Sequence, residues 1–539
     1  MGAGAAAARA AAPAARAEAE AEAAAGGAAA RTDEGVRAAP PPRPRPFEHL
    51  RGERPSVAPQ RRGEPPSSGG GMPVAGDEEA GAAFRERAVP SSRVGRVLGF
   101  GQMAASLLAG TVAERVEATF SGAIGGSDKE SAPRPRISRR NAEVFAEGLC
   151  RMRGAALKLG QMLSIQDEGL LPPELQEALQ RVRQGADAMP RSQLQGVLEG
   201  DLGPKWEETL EEFSPAPIAA ASIGQVHSAR VEGRPVAVKV QYPGVADSLV
   251  SDIDNLATLA KVSGVLPDQL FLDNALAVAK KELALECDYT YEAGAQARFR
   301  RLLEAEGSRD YYVPDVFPEA SGPRVLTTEF VAGVPIDQVE TMSQDHRDRV
   351  GTLVFGLAVR EVFEWRYMQT DPNWSNFLYD PEKDVLNLID FGAAKEFPKP
   401  FVDEYLRMVQ ACARGDRDEV VRASRSLGFL TGDETPVMLD AHCEAGIAVG
   451  RPFATEGGFD FGAGTAVTKR VAGLGGTMLE HRLTPPPDEA YALHRKLAGA
   501  FLACIKLRAV VDCKSILDEV AARYRFEPAA GGVEEPAAA

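Results

Sequence analysis

The sequence predicts an α+β protein of two lobes, in which a smaller β-rich lobe precedes a larger helical one. The β-rich runs IGQVHSARV and PVAVKVQYP flank the turn residues Glu232 and Gly233, which indicates a hairpin. A helical stretch and two more β-rich runs, YYVPDVF and RVLTTEFV, come next. After Gly333 the chain is mostly helical, with one β interruption at FLYDPEKDVLNLIDFG. A strand is therefore expected to join the two lobes.

The first ninety residues are predicted to be disordered. Their alanine-rich opening is followed by PPPRPRP, PSVAPQRRGEPP and SSGGG, which cannot bury enough apolar surface to offset chain entropy. Arg9 and Arg16 suit an organellar transit peptide, whereas the acidic run EAEAEA does not. Composition therefore leaves a transit peptide open at this end of the chain.

Residues 97–113, VLGFGQMAASLLAGTVA, form a charge-free run that is a candidate membrane helix. Its length is at the short limit for crossing a bilayer, and Gln102 weakens the case. The alternative is an amphipathic or buried helix. Gly95 and Gly99 form a GxxxG spacing, which predicts a homodimer through close helix approach within lipid.

A helical pair is predicted between this segment and the β-rich lobe. Its first helix carries one apolar stripe at steps of three and four residues. The stripe consists of Phe145, Leu149, Met152, Ala156, Leu159 and Leu163. Pro172 and Pro173 then open a second helix.

These patterns divide the chain into seven predicted segments. They are 1–90 (disordered, candidate transit peptide), 91–115 (candidate membrane helix), 116–136 (linker), 137–200 (helical subdomain), 201–331 (β-rich N-lobe), 332–526 (helical C-lobe) and 527–539 (disordered tail). The formal net charge of −16 argues against a nucleic-acid partner, since neutralising phosphates requires clustered cations.

Four polar residues have the order and spacing of a kinase nucleotide site. Asp371 precedes Asn376 by five positions, as in kinase catalytic loops. Asp390 opens a DFG sequence after the apolar run LNLI, and Lys239 ends VAVK, the form of the strand that carries the phosphate-binding lysine. Each motif alone is common, but together and in this order they predict a site for ATP or ADP with Mg²⁺.

The expected roles follow from the chemistry of phosphoryl transfer. Lys239 would meet the phosphates as a point charge, and Asn376 and Asp390 would supply oxygen ligands to Mg²⁺. Asp371 would orient or deprotonate the attacking hydroxyl or water. The adenine edge is expected along the backbone at the end of RVLTTEFV, at Glu329, Phe330 and Val331.

Three departures from protein kinases are visible. Gln369 and Thr370 stand where the His and Arg of HRD are expected, and no APE follows DFG, so little chain remains on which a peptide substrate could lie. The expected glycine-rich phosphate lid is replaced by residues whose Cβ atoms limit backbone approach to phosphates. These lid residues are Ala219, Ala220, Ala221 and Ser222.

This combination resembles the UbiB family of atypical kinases, also called aarF-domain-containing kinases, and its mitochondrial coenzyme Q biosynthesis branch in particular. The resemblance covers about residues 90–526 and rests on six stretches of sequence. They are KLGQ with Lys158 and Gln161, AAASIGQVH, ECD with Glu286 and Asp288, VKVQYPGV, MQTDPNWSNF and LIDFGAAKE.

The resemblance implies a protein-kinase-like bilobal fold with an extra N-terminal helical KxGQ subdomain over the cleft. It implies ATP hydrolysis that supports ubiquinone biosynthesis, rather than ordinary protein phosphorylation. Lys158, Gln161, Glu286 and Asp288 would join Asp371 as catalytic residues. The implied partners are anionic membrane lipid, quinone-precursor lipids and other coenzyme Q biosynthesis proteins. The implied location is the matrix side of the mitochondrial inner membrane, with the plastid as the alternative.

Two glutamates compete to pair with Lys239. Glu286 and Glu292 are six residues apart, so on one helix they would point about 120° away from each other and serve different partners. The resemblance gives Glu286 to Lys158 and Glu292 to Lys239.

Two other functions remain open on the sequence. The protein could be a true kinase that acts on a protein, a lipid or a small molecule of the quinone pathway. It could also be a nucleotide-sensing scaffold without catalysis, although a scaffold has no need to retain Asp371, Asn376 and Asp390 together.

Overall fold

The structure is a computed structural model that describes residues 99, 101–102, 105–106, 143, 188–221, 223–263, 272–371, 373–463 and 465–527. The described residues of the candidate membrane segment 97–113 are helical. The rest of that segment, and all but Glu143 and residues 188–200 of the predicted helical subdomain, lie outside the described residues.

The β-rich lobe consists of one sheet and the helices around it. Its strands are β1 (Ala219–Ala220), β2 (Gly224–Val231), β3 (Arg234–Gln241) and β5 (Val325–Glu329), which form an antiparallel sheet in the order β1-β2-β3-β5. Its helices are α1 (Arg191–Leu202), α2 (Trp206–Thr209), α3 (Val245–Ser263), α4 (Leu272–Glu286) and α5 (Tyr289–Ala305).

The β2–β3 hairpin turns at the two residues that the sequence indicates. Glu232 has φ 51° and Gly233 has φ 74°, the left-handed backbone that tight two-residue hairpins require. The register that follows pairs Val231 with Arg234 and Val226 with Lys239. This register fixes which residues of β3 face the helices and which face the cleft.

The helical lobe has its own small sheet and a larger set of helices. Its strands are β4 (Tyr311–Tyr312), β6 (Val334–Pro335), β7 (Tyr367–Gln369), β8 (Phe377–Asp380), β9 (Val385–Leu388), β10 (Ala394–Glu396), β11 (Phe459–Asp460) and β12 (Val510–Val511). Its helices are α6 (Gln344–Phe363), α7 (Lys399–Arg414), α8 (Arg417–Leu427), α9 (Pro436–Ala454), α10 (Thr465–His481), α11 (Asp488–Leu507) and α12 (Cys513–Arg523).

Helix α6 forms the centre of this lobe. Its residues Val350, Phe355, Ala358, Val359 and Val362 are fully buried, and they belong to one continuous hydrophobic cluster with α7, α11 and α12. The strands of the lobe form a sheet in the order β4-β9-β8-β6 and two short pairs, β7 with β10 and β11 with β12. In the β7–β10 pair, Gln369 lies opposite Ala394, so the strand before Asp371 is paired with the strand after the DFG sequence.

The two-lobed fold and its main strands are confirmed. The predicted hairpin, RVLTTEFV and the paired strands inside FLYDPEKDVLNLIDFG are all present as β2, β3, β5, β8 and β9. Only Tyr311–Tyr312 of YYVPDVF is a strand, and it pairs in parallel with β9 of the helical lobe. Pairs β7–β10 and β11–β12 were not predicted, because strands of two or three residues are too short to show periodicity.

Within the described part of the chain, no helix combines the length and apolar character needed to cross a membrane.

Two glycines on α6 provide a stability test of the packing. A Cβ at Gly351 would lie 2.6 Å from the Cβ of Ala509, whereas a Cβ at Gly356 would approach only the Tyr311 hydroxyl, at 3.6 Å. We expect Gly351→Ala to lower the free energy of unfolding by about 1–3 kcal/mol through overpacking. Gly356→Ala should be neutral or stabilising, by up to about 1 kcal/mol, because alanine favours the helix. Urea unfolding of both variants measures this, and equal effects would contradict the packing.

Candidate functional site

Lys239 projects from β3 into the cleft because the side chains of a strand alternate between its two faces. Val236, Val238 and Val240 are fully buried against the helices of the β-rich lobe, so Lys239 faces the other way. Its Nζ lies 2.7 and 2.9 Å from the two carboxylate oxygens of Glu292 and 3.2 Å from Oδ2 of Asp390. The strand lysine and the DFG aspartate therefore meet, although 151 residues separate them.

The cluster is largely buried, and the pKa values of Lys239 and Glu292 depend on the charges beside them. The side chains of Lys239 and Glu292 are 13% and 1% exposed. Burial alone would lower the pKa of Lys239, but Asp390 and Glu292 outweigh it and raise that pKa well above its ordinary value. Burial raises the pKa of Glu292, and the Lys239 ammonium opposes that rise. The lysine is therefore held as a cation at neutral pH.

Gln369 links the two aspartates of the site. Its Nε2 donates to the backbone oxygen of Asp390 at 2.9 Å and to Oδ1 of Asp390 at 3.3 Å, while its Oε1 accepts from the backbone N–H of Asp371 at 3.2 Å. The carboxylate of Asp390 also accepts from the N–H of Gly392 at 3.1 Å. Gln369 occupies the position of the histidine in the HRD motif of protein kinases, and the sequence showed only that the histidine is missing. In the structure, Gln369 fixes the distance between the catalytic loop and the DFG sequence.

Asn376 lies beside the DFG strand. Its backbone oxygen accepts from the N–H of Ile389, the residue before Asp390, at 3.1 Å. Its side-chain Nδ2 is buried and has no hydrogen-bond partner among the described residues. A buried amide N–H without an acceptor is costly unless a ligand supplies one. The Asn376 amide is therefore suited to donate a hydrogen bond to a bound ligand.

The donor set fits Mg²⁺ held together with phosphate. No group of three or more His, Cys, Asp or Glu side chains among the described residues is placed to hold a metal by itself. Mg²⁺ characteristically takes one or two carboxylates, keeps several waters and shares substrate phosphates. Asp390, with Asn376 beside it, provides hard oxygen donors of this kind.

The structure puts Glu286 and Glu292 on two helices, so the 120° separation considered for a single helix does not apply. Helix α4 ends at Glu286 and α5 begins at Tyr289, because Asp288 caps α5 by accepting from the N–H groups of Thr290 and Tyr291. The pairing of Glu292 with Lys239 is nevertheless present.

Glu286 and Asp288 have different surroundings. Glu286 is buried next to the DFG glycine, since a Cβ at Gly392 would lie 3.2 Å from its Cγ. Asp288 is exposed, and the structure shows it as the helix cap. Lys158 and Gln161, the expected partners from the KxGQ sequence, lie outside the described residues.

The alanine-rich lid continues the sheet at its edge. Ala219 and Ala220 form β1 and pair with Val226 and Gln225, and the N–H of Ala221 donates to the oxygen of Gly224 at 2.8 Å. Ser222 lies outside the described residues. The three described lid residues are thus hydrogen-bonded to β2.

Tyr289 lies between the start of β2 and the lysine. Its ring centroid is 5.2 Å from Nζ of Lys239, and a Cβ at Gly224 would lie 2.8 Å from its hydroxyl. Glycine is required at 224 because such a Cβ would also lie only 2.5 Å from the backbone oxygen of Val240. Sequence reasoning missed Tyr289, although it directly follows the ECD sequence.

Polar contacts anchor the start of β2 on the far side of the lid. Oε1 of Gln225 accepts from the N–H of Met189 at 2.9 Å, its Nε2 contacts Nε2 of His227 at 2.8 Å, and Nδ1 of His227 contacts the oxygen of Ser214 at 2.8 Å. Burial lowers the pKa of His227 to about 4, so the imidazole is neutral at pH 7. Gln225 and His227 of the IGQVH sequence therefore support the lid rather than bind phosphate directly.

The three residues proposed for adenine lie where the lobes join. Glu329 ends β5, and its Oε2 accepts from the Tyr312 hydroxyl at 2.5 Å. The N–H of Phe330 donates to the oxygen of Pro235 at 3.1 Å, and Val331 is half-buried. Adenine recognition by this backbone stays a prediction.

Known proteins provide an independent comparison. Residues 181–424 match the family described as ABC1 atypical kinase-like domain. The chain is 47% identical to "Atypical kinase COQ8B, mitochondrial" of Rattus norvegicus, over 82% of this chain and 82% of that protein. It is 38% identical to "Atypical kinase COQ8, mitochondrial" of Saccharomyces cerevisiae, over 82% and 88%. A solved structure, "The complex structure of Rv3197-erythromycin from Mycobacterium tuberculosis", covers 69% of this chain and 93% of its own at 26% identity and a TM-score of 0.49.

The bridge made by Gln369 can be tested by an isosteric change. Gln369→Glu removes the donor to Asp390 and places a second carboxylate beside it, at a position that is 4% exposed. We expect the free energy of unfolding to fall by about 1–3 kcal/mol. The matched control is Gln195→Glu, which removes an exposed donor to Glu199 and should change stability by less than about 0.5 kcal/mol. Chemical denaturation at pH 7.5 compares them, and equal losses would refute the bridge.

Proposed function

This chain belongs to the ABC1 family of atypical kinases, also called UbiB, and we propose that it binds ATP or ADP with Mg²⁺ between its lobes and hydrolyses ATP in support of coenzyme Q biosynthesis. One observation carries the proposal. Lys239 and Asp390, from opposite lobes, lie 3.2 Å apart with Glu292 completing the cluster. Three ionisable groups brought together from distant parts of a chain, one buried and two partly buried, are typical of a functional site.

The residues of the site divide the work by their chemistry. Lys239 is placed to meet phosphate oxygens, and Glu292 orients it. Asp390 and Asn376 would hold Mg²⁺, which when bound neutralises charge on the phosphates. Asp371 would orient the attacking water. The hydrogen bond from its backbone N–H to Oε1 of Gln369 fixes the position of the Asp371 backbone.

Water is a better acceptor than a peptide for this geometry. Only a few residues separate Gly392 from α7, which begins at Lys399, and three of them form β10, paired with β7. A protein kinase presents a peptide along a longer segment that ends at APE. In this chain the corresponding segment is short, and it is already paired within the fold as β10. This favours ATP hydrolysis over protein phosphorylation.

The roles of the KxGQ and ExD residues extend this proposal. Glu286 lies beside Gly392 and would face Lys158, with Gln161 and the exposed Asp288 acting at the same opening. An arrangement of that kind would place helical residues over the cleft and limit access to the γ-phosphate.

The cellular setting is proposed from the relatives. Because COQ8B of rat and COQ8 of budding yeast are named mitochondrial, we propose that this protein acts in mitochondria. The matrix face of the inner membrane, expected from the sequence resemblance, is the finer part of this proposal. Its proposed partners are anionic lipid, quinone-precursor lipids and other coenzyme Q biosynthesis proteins. Self-association through Gly95 and Gly99 is part of the same proposal.

Asp390→Asn tests the catalytic proposal. We expect phosphate release from ATP to fall at least about a hundredfold, because the charge that would hold Mg²⁺ is lost. Mg²⁺-dependent ATP affinity, measured by calorimetry, should weaken as well. The control is Asp384→Asn, an exposed turn residue with φ 53°, a backbone that asparagine tolerates. That variant should retain activity.

Two further outcomes distinguish the alternatives. If a null strain rescued with Asp390→Asn kept its full coenzyme Q content, the protein would act as a scaffold. If label from γ-labelled ATP reached a defined acceptor and Asp371→Asn abolished the transfer, it would be a true kinase.

The lid should set nucleotide preference. Ala220→Gly or Ala221→Gly lets the backbone approach phosphates more closely, so we expect the ratio of ADP to ATP affinity to change at least about threefold. Ala216→Gly, an exposed change in the same lobe outside the lid, is the control. Calorimetry with each nucleotide and Mg²⁺ measures both affinities, and identical ratios in all four proteins would remove the lid from selectivity.

A further inference from the structure

Helix α11 buries two consecutive cations beneath the catalytic loop. The side chains of Arg495 and Lys496 are each 4% exposed. Arg495 pairs with Glu282 at 2.6 Å, and Lys496 pairs with Glu361 at 2.7 Å. Buried ion pairs contribute little to stability compared with apolar packing. We therefore ask which neighbouring groups these two pairs hold in position.

Both pairs lie against the backbone just ahead of Asp371. Nε of Arg495 donates to the oxygen of Thr370 at 3.3 Å. Burial raises the pKa of Glu361 to about 7, and Lys496 and the nearby backbone N–H of Gln369 oppose that rise. The residue directly before Asp371 is therefore held by a hydrogen bond from α11, and Glu361 of α6 lies beside the residue before it.

Glu282 extends this connection to the other lobe. It lies on α4, and its second carboxylate oxygen accepts from Nζ of Lys395 at 3.1 Å. Lys395 belongs to β10, directly after the DFG turn. Burial would raise the pKa of Glu282, but Arg495 and Lys395 outweigh it and lower that pKa, so the carboxylate stays ionised.

One carboxylate thus joins three segments. Glu282 connects α4, α11 and β10, and one helical turn further along α4 lies Glu286, beside Gly392. Loss of the Arg495 bridge would uncouple the catalytic loop from α4 and from the strand that follows the DFG turn.

We propose that Arg495 is a positioning residue, which uses its bridge between Glu282 and the Thr370 oxygen to hold Asp371 in register with Asp390. Arginine is required because its planar fork reaches two acceptors at once, whereas a lysine ammonium acts as a point charge. The inference rests on the proposed function for what Asp371 does, but the bridge itself exists without nucleotide.

Arg495→Lys tests this in the full-length protein. It keeps a cation beside Glu282 but gives up the simultaneous bond to Thr370. We expect kcat for ATP hydrolysis to fall roughly tenfold to a hundredfold, as for a reacting group displaced by about an ångström. Mg²⁺–ATP affinity should stay within about twofold, because Lys239, Asn376 and Asp390 are untouched.

A second measurement reads the backbone without nucleotide. Hydrogen–deuterium exchange of a peptide that spans residues 367–378 should be faster in Arg495→Lys, while a peptide from α9 should not change. The matched control is Arg470→Lys, whose ion pair with Glu444 is exposed. Glu282→Gln should lower kcat as well, and the double variant should be no worse than Arg495→Lys alone.

The outcomes separate the two proposals. If the wild-type protein hydrolyses no ATP, the proposed function fails, and the exchange data alone decide whether Arg495 holds the loop. If Arg495→Lys keeps wild-type kcat and exchange, the positioning role is wrong. It is also wrong if kcat falls only in proportion to folded protein, or if nucleotide affinity falls as much as kcat.

Discussion

The largely buried ion cluster of Lys239, Glu292 and Asp390 is the constraint on which the rest of the structure depends. Charges removed from water are tolerated only when opposite charges lie beside them in good geometry. Because the three residues come from β3, α5 and the turn after β9, the two lobes must close on each other for any of them to be satisfied. The cleft is therefore fixed by electrostatics as well as by apolar packing.

The elements around the cluster serve this placement. The alternation of β3 buries three valines and turns Lys239 to the cleft. The interruption between α4 and α5, capped by Asp288, gives Glu292 a helix of its own and leaves Glu286 at the end of the preceding one. A single helix through this stretch would send one of the two glutamates away from the site, so the break carries both of them to it.

Further polar residues hold the catalytic loop and the DFG sequence in position. Gln369 spans Asp371 and Asp390, and Glu361 lies beside its backbone. Arg495 and Glu282 reach the same strand from α11 and α4. These residues are buried and consist of uncharged amides and paired ions, so a change in any one of them leaves another without a partner.

The sequence by itself determined the two lobes, the hairpin and the identity of the four site residues. The alternating and helical periods, and the DFG and D-x-x-x-x-N spacings, are local properties of the chain. Tertiary structure decided what no local pattern carries. It ended one helix before Asp288 and began another after it, made Gln369 a bridge, placed Tyr289 beside Lys239 and brought Arg495 beside Thr370. In the sequence, Arg495 is one charged residue within a helical run, and nothing local shows that it is buried. Its partner Glu282 is 213 residues away, and only the packing of the two helices brings them together.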